Sequence, residues 1–335
     1  MPDILLQLLL FGSKALIILI IILIILITLV ALLGKGKHKT RGKLTINHLN
    51  KKFQENTELI LSETESKKHF KHYQKQQKAE EKVRLKENGR KHIFVLTFHG
   101  DMRASAVETL REEITAVLNV ATPTDEVMVR LESAGGVVHA YGLAAAQLQR
   151  IRARNIPLTI FIDKVAASGG YLMACVANTI YAAPFAIIGS IGVVVQLPNF
   201  HRLLQDKHID FEQYTAGEFK RTITVFGKNT EEGRKKLQEE IEDIHQLFKN
   251  LILDYRPNID IKQVATGEYW LGQQALKLNL IDVIQTSDDY ILEQSKEAEL
   301  YEIAYEVKKP FLNKLMGSSG NLQQRLMDVA RFKVT

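Results

Sequence analysis

The chain has 335 residues and a formal net charge of +6, long enough for one large domain or two small ones at ~100 to 200 residues per domain. The basic excess is local, because residues 35–91 carry 17 lysines and arginines against 7 aspartates and glutamates. The remainder is therefore net acidic, and the single cysteine, Cys175, excludes an internal disulfide while leaving the redox compartment open.

Residues 15–33 contain Thr28 as their only polar side chain, and a helix of that length covers ~28 Å, close to a bilayer core. They predict a transmembrane anchor within residues 1–34 that contacts the lipid bilayer directly. The start is weakly charged, with Asp3 and Lys14, the apolar run is long, and no small-residue cleavage site follows. An uncleaved anchor fits that pattern better than a removed signal peptide. Lys14 precedes the span while Lys35, Lys37, Lys39 and Arg41 follow it, which favours a cytoplasmic body by the positive-inside rule.

Residues 35–91 read as a basic, partly helical stalk with scattered apolar positions such as Leu59, Ile60, Phe70 and Tyr73. Anionic head groups and nucleic acid are two rival uses for that charge. The run lacks regular aromatic interleaving, so nucleic acid is not expected as a partner, and a solvated linker is preferred over both.

A regular alternation begins at His92. Residues 93–98, 126–131, 158–162 and 179–183 are strand-like, while 104–120, 137–155 and 172–177 suit helices. Such alternation predicts an α/β domain over residues 92–307, with a parallel sheet covered by helices. No G-x-G-x-x-G or Walker sequence opens any of these helices, so no nucleotide site is indicated. The apolar, glycine-rich residues 187–195 suit a buried strand or turn near a site, and residues 211–215 read as another short strand. Asn229 and Glu232 form a capping box for a long helix whose stripe of Leu237, Ile241, Ile244, Leu247, Phe248, Leu251 and Ile252 serves core or protomer interface. Residues 267–275 lead through 281–283 as a helix and turn closing the domain. The basic residues 308–335 are expected to be a flexible tail.

Ser168 is the candidate for chemistry. It lies between a strand-like run and a short apolar helix, at a helix N-terminus where free backbone N–H groups favour a negative charge. Serine is also a strongly preferred N-cap, so this turn alone does not separate a cap from a nucleophile. A serine nucleophile needs a base, which is histidine or, in Ser–Lys variants, a neutral lysine. His99 and His139 are expected to be structural or solvent-facing. Lys164 stands four residues before the turn and is expected to point away, whereas Lys220 follows Gly217 and Phe219, where burial would lower its pKa. Two glycine turns, Ser133-Ala134-Gly135-Gly136 and Ser168-Gly169-Gly170, are candidate sources of oxyanion donors.

The order Ser-Ala-Gly-Gly (133–136), Ala-Ala-Ser-Gly-Gly-Tyr (166–171), Gly-Ser-Ile-Gly-Val (189–193), Gly-Glu-Phe-Lys (217–220) and Gly-Gln-Gln-Ala (272–275) resembles the S49 peptidases, the SppA signal-peptide peptidase family. The span, the stalk and residues 214–222 are most similar to its SohB branch. The resemblance implies a ClpP/crotonase-like spiral of ββα units and a homo-oligomer with its site near protomer interfaces. By residue matching it makes Ser168 the nucleophile, Lys220 the general base, and the N–H groups of Gly135 and Gly169 the oxyanion donors. A substrate groove along Gly136, Gly170, Gly189, Ser190 and Ile191 is expected. Ala134 replaces the family's usual proline, which alters the stiffness of the turn without removing its donor.

The reading is thus a single-pass serine endopeptidase of the bacterial inner membrane, using no cofactor or metal and acting on peptide or protein substrates such as signal-peptide remnants or misfolded membrane and envelope proteins. The alternatives are a crotonase-like acyl-CoA enzyme, whose fold also builds oxyanion holes from glycine turns, and a catalytically silent membrane scaffold.

Overall fold

The computed structural model describes residues 11–12, 14, 16–23, 42–84 and 89–307. In chain order the elements are β1 (Lys43–His48), α1 (Leu49–Thr64), α2 (Lys67–Arg84), β2 (His92–Gly100), α3 (Val107–Leu118), β3 (Glu126–Ser133), α4 (Val138–Arg152), β4 (Leu158–Ile162), β5 (Val165–Ala167), α5 (Gly169–Ala174), β6 (Thr179–Ala182), β7 (Ile187–Gly189), α6 (His201–Asp206), α7 (Glu231–Tyr255), α8 (Ile261–Val264), β8 (Tyr269–Leu271), α9 (Gly272–Lys277), β9 (Val283–Ile284), α10 (Ser287–Gln294) and β10 (Glu299–Glu306).

The strands join into one mostly parallel sheet in the order β1-β10-β2-β3-β4-β6-β9, with β5, β7 and β8 branching off β3. Among the described strands only β1 against β10 and β7 against β8 run antiparallel. Alternate side chains of a strand face opposite sides of a sheet, and here both sides are covered, as a parallel sheet requires. On one face Leu96, Phe98, Val129, Leu131 and Ile160 pack with Leu110 and Ile114 of α3 and Leu148 and Ile151 of α4. On the other, Ile93, Val95, Met128 and Phe161 meet Leu49 of α1 and Tyr290 and Ile291 of α10. Each such large apolar side chain stabilises by about 1.5–3 kcal/mol when fully buried.

A compact unit spans Lys43–Glu306. The sequence reading places the body's start at residue 92 and assigns 35–91 to a stalk. In the structure β1 pairs with β10 from Lys43 to His48, and Asn50 Nδ2 donates to the Ser295 and Ala298 carbonyls. The first part of that basic segment is therefore an edge strand and a packed helix start. Charge composition conceals this because an edge strand can keep polar side chains on its exposed positions.

Three further differences have local causes. Residues 211–215 form no strand and are exposed. The N-cap of α7 is Thr230, whose hydroxyl accepts from Gly233 N at 3.0 Å, while Asn229 turns back to bond Thr224 N and O. Of the apolar stripe on α7 only Phe248 and Ile252 are buried, and Leu247 is 68% exposed. Among the described residues no helix is long and apolar enough to cross a membrane. Of the expected span 15–33, residues 16–23 are described, as helix with exposed side chains. The rest of the span and the tail 308–335 lie outside the described residues.

Candidate active site

Parallel strands bring their C-terminal ends to one edge of the sheet, and the turns that leave β3 and β5 meet there. The register sets Ser133 opposite Ala166, so the turn after Ser133 and the turn after Ala167 emerge side by side. Gly135 has φ +83°, and a Cβ added to it would lie 2.7 Å from Gly169 N and 2.8 Å from the Ser168 Cβ. Only glycine fits so close an approach in that left-handed conformation.

Ser168 has φ 51° and ψ −119°, a conformation rare for a residue with a side chain and costing of order 1–3 kcal/mol. The surrounding backbone enforces it. Ser168 N donates to the Gly189 carbonyl at 2.7 Å, and the Ser168 carbonyl accepts from Leu172 N at 3.0 Å to open α5. The residue occupies the N-cap position, yet its hydroxyl makes no capping bond. A serine held in a strained turn, half-buried and with a hydroxyl that makes no hydrogen bond among the described residues, is poorly explained as a cap.

The two expected oxyanion donors differ in their present bonds. Gly169 is buried against Tyr141 at the start of α5. Gly135 N donates to Ser133 Oγ at 3.0 Å, so its N–H is occupied in the free chain. Of the expected groove residues, Gly170 packs against the Ser133 carbonyl and Gly136 against the Met102 carbonyl. Gly189 carries the carbonyl that fixes Ser168, and Ser190 N donates to Glu268 O at 2.7 Å. Ile191 is fully buried, so its side chain belongs to the core and not to an open groove.

Lys220 is on the surface. It is exposed, its N–H donates to the Gly217 carbonyl at 3.1 Å, and it lines a cavity of about 800 Å³ with Leu197, Phe211, Tyr214, Ile223 and Phe226. Among the described residues no hydrogen bond or ion pair joins its side chain to Ser168. Lys164 is exposed and donates to Glu132 at 3.0 and 3.2 Å, while His99 sits 3.6 Å from Glu132 and His139 is exposed. Among the described residues neither histidine hydrogen-bonds the serine turn.

Residues 3–148 match the description "Peptidase family S49 N-terminal" and residues 150–301 match "Peptidase family S49". A Haemophilus influenzae chain named "Probable protease SohB" is 49% identical over 286 residues, 82% of this chain and 81% of that one. The chain belongs to peptidase family S49. A Buchnera aphidicola (subsp. Acyrthosiphon pisum) relative of the same name is 51% identical over 250 residues, 74% of each chain. A "Putative signal peptide peptidase SppA" of Enterococcus faecium is 29% identical over 177 residues, 52% of this chain and 51% of that one. A solved membrane-bound stomatin-specific protease shares 16% identity over 62% of this chain and 85% of its own, with a TM-score of 0.42, too remote to carry an argument.

In this S49 peptidase the sequence reading missed the hydroxyl of Ser133 as a partner of Gly135. The signal was present in the Ser-x-Gly spacing, since a serine side chain readily bonds the backbone N–H two residues on. It also missed the loop 101–105, where burial opposes ionisation of Asp101 but hydrogen bonds from Ser105 and from the Arg103 N–H outweigh it and hold the carboxyl below its ordinary value.

Proposed function

We propose that the chain is a membrane-anchored serine endopeptidase with Ser168 as nucleophile and Lys220 as general base. The observation that carries this reading is the strained Ser168, its hydroxyl making no capping bond, seated against the Gly135 turn. Strain of this kind collects at catalytic turns because the surroundings must over-determine it.

The cycle follows from these groups. Lys220 accepts the Ser168 proton as Oγ attacks the peptide carbonyl, and the carbonyl oxygen becomes an oxyanion. The Gly169 N–H and the Gly135 N–H stabilise it. For Gly135 this exchanges a neutral hydroxyl acceptor for a charged one, and charge-assisted bonds are roughly twice as strong as neutral ones, so the gain is specific to the transition state. The protonated lysine gives its proton to the departing amine. Water, deprotonated by the same lysine, then hydrolyses the acyl ester and restores Ser168. No cofactor or metal enters these steps.

For Lys220 to serve a serine, its segment has to be held against a catalytic turn. The residues around it are an exposed apolar surface, with Tyr214 at 88% and Leu197, Phe211, Phe219 and Phe226 also exposed. A surface of that kind is normally covered by a partner, and a second copy of the chain is the occupant this reading assigns. The ClpP/crotonase-like spiral is supported by β3, which pairs with both β4 and β5 and so feeds two layers. Residues 15–33 anchor the enzyme once in the bacterial inner membrane, with the flanking charges placing the body on the cytoplasmic side. Peptides such as signal-peptide remnants, or misfolded membrane and envelope proteins, are the assigned substrates.

A serine-reactive fluorophosphonate applied to the detergent-solubilised full chain tests this reading. Labelling that maps to Ser168 is expected, and an unlabelled Ser168 in a chain that hydrolyses peptides contradicts it.

A further inference from the structure

Two glycines are asked to present N–H groups to one oxyanion, and they come from different turns. One buried side chain touches both. A Cβ at position 169 would overlap Tyr141 Cγ and lie 2.8 Å from Tyr141 Cβ, so the tyrosine ring is the floor under Gly169. The Tyr141 hydroxyl is 2.5 Å from Ser133 Oγ and donates to the Asp101 carbonyl at 2.7 Å. Ser133 Oγ in turn accepts from Gly135 N at 3.0 Å.

The proton directions in this chain are fixed by elimination. A carbonyl oxygen only accepts, so the Tyr141 proton goes to Asp101. The Ser133 proton therefore goes to Tyr141 Oη, and Ser133 Oγ is left to accept from Gly135 N–H. Each bond polarises the next, which strengthens such a chain beyond its separate parts. The far end is anchored as well, because the Asp101 carboxylate takes Ser105 Oγ at 2.6 Å, Ser105 N at 2.8 Å and Arg103 N at 3.0 Å. Tyr141 is fully buried and Ser133 is 2% exposed. Burial, opposed in part by the Ser133 bond, raises the Tyr141 phenol above its ordinary value and keeps it a donor.

We propose that Tyr141 is a positioning residue for the oxyanion site, its ring seating Gly169 and its hydroxyl, through Ser133, setting the orientation of the Gly135 turn. It touches no substrate. This inference rests on the proposed Ser168 chemistry, and it assigns to one side chain the alignment of two donors that must converge on a single atom.

The test is steady-state peptide hydrolysis by the detergent-solubilised full chain carrying Tyr141→Phe, Ser133→Ala, the pair together, or Ser168→Ala. Tyr141→Phe keeps the ring and removes the relay. It is expected to lower kcat about tenfold or more, short of the ~10²- to 10³-fold lost when a donor itself is removed, with KM within about twofold. The double variant is expected to be no slower than Ser133→Ala alone, because both changes cut one chain. The pH profile keeps its limbs, since the relay passes no proton to substrate. An unchanged kcat, a shifted limb, or a loss that only follows the folded fraction measured by thermal melting overturns the proposal. Where Tyr141→Phe does not fold, Ser133→Ala gives the same decision by the same kcat and KM criteria. If Ser168→Ala is inactive and the relay variants are wild-type, the positioning role alone fails. If Ser168→Ala keeps full turnover, the reading of the site fails and this inference falls with it.

Discussion

Gly135 rests on Ser168, with room for no atom between them. A Cβ at position 135 would lie 2.8 Å from the Ser168 Cβ and 2.7 Å from both Gly169 N and the Ala167 carbonyl. Gly135→Ala therefore has to push the nucleophile turn away and also hold alanine at φ +83°. The expected result is a fall in kcat of ~10²-fold or more, comparable to loss of an oxyanion donor. Kinetics and fluorophosphonate labelling rates, compared with a thermal melt, separate this from unfolding.

Ser168 itself carries a cost that a substitution should reveal. At φ 51° and ψ −119° glycine is unstrained, so Ser168→Gly is expected to abolish hydrolysis while raising stability by about 1 kcal/mol. Urea unfolding of the two chains measures the difference. A destabilised Ser168→Gly chain would show that the turn is not strained.

Much of this arrangement is legible in the amino-acid sequence, and the parts that are not share a cause. The strand read at 158–162 is β4 as found, and the runs at 126–131 and 179–183 match β3 and β6 to within two residues, because apolar runs bounded by turn residues need no tertiary context. Ser168 and the Gly135 turn are legible as separate glycine-rich turns. Their contact is not, since it depends on the register that sets Ser133 beside Ala166. β1 is concealed because its pairing depends on β10, more than 250 residues away, and it carries the exposed polar residues Lys43 and Asn47. The strand expected at 211–215 fails for the opposite reason, as Phe211 and Tyr214 are apolar enough for a strand, but residues 211–215 pair with no strand among the described residues and Phe211 packs against Phe226 instead. Lys220 is singled out by its place after Gly217 and Phe219 and by the family resemblance, but the burial expected there is not found, because Lys220 is exposed.

The acid limb of stability is assigned to two carboxylates. Burial disfavours ionised Asp125, but hydrogen bonds from Thr122 and His92, at 2.8 to 3.0 Å, hold it below its ordinary value, and Asp101 behaves alike. A lowered carboxyl pKa adds stability above the unfolded value of ~3.9, and that stability is lost as pH falls through the folded value beneath it. Urea midpoints are therefore expected to hold above about pH 5 and drop below about pH 4. Asp125→Asn should lower the neutral-pH midpoint and flatten the drop, and an equally steep drop in that variant would contradict the assignment.

Cys175 is fully buried, its thiol pushed up to about 12 by burial. The thiolate is the reactive form, so the native chain is expected to resist iodoacetamide at neutral pH and to be alkylated once unfolded in guanidinium. Mass spectrometry of the two samples checks this, and rapid native labelling would mean that the core around α5 opens.

The proposed chemistry needs Ser168 and Lys220 to act together. Peptide hydrolysis by the detergent-solubilised full chain, carrying Ser168→Ala or Lys220→Ala, tests that most directly. Both variants are expected to lose turnover by ~10³-fold or more, as removal of a nucleophile or its base does, while remaining folded by thermal melting. Wild-type turnover in either variant would contradict the Ser–Lys mechanism.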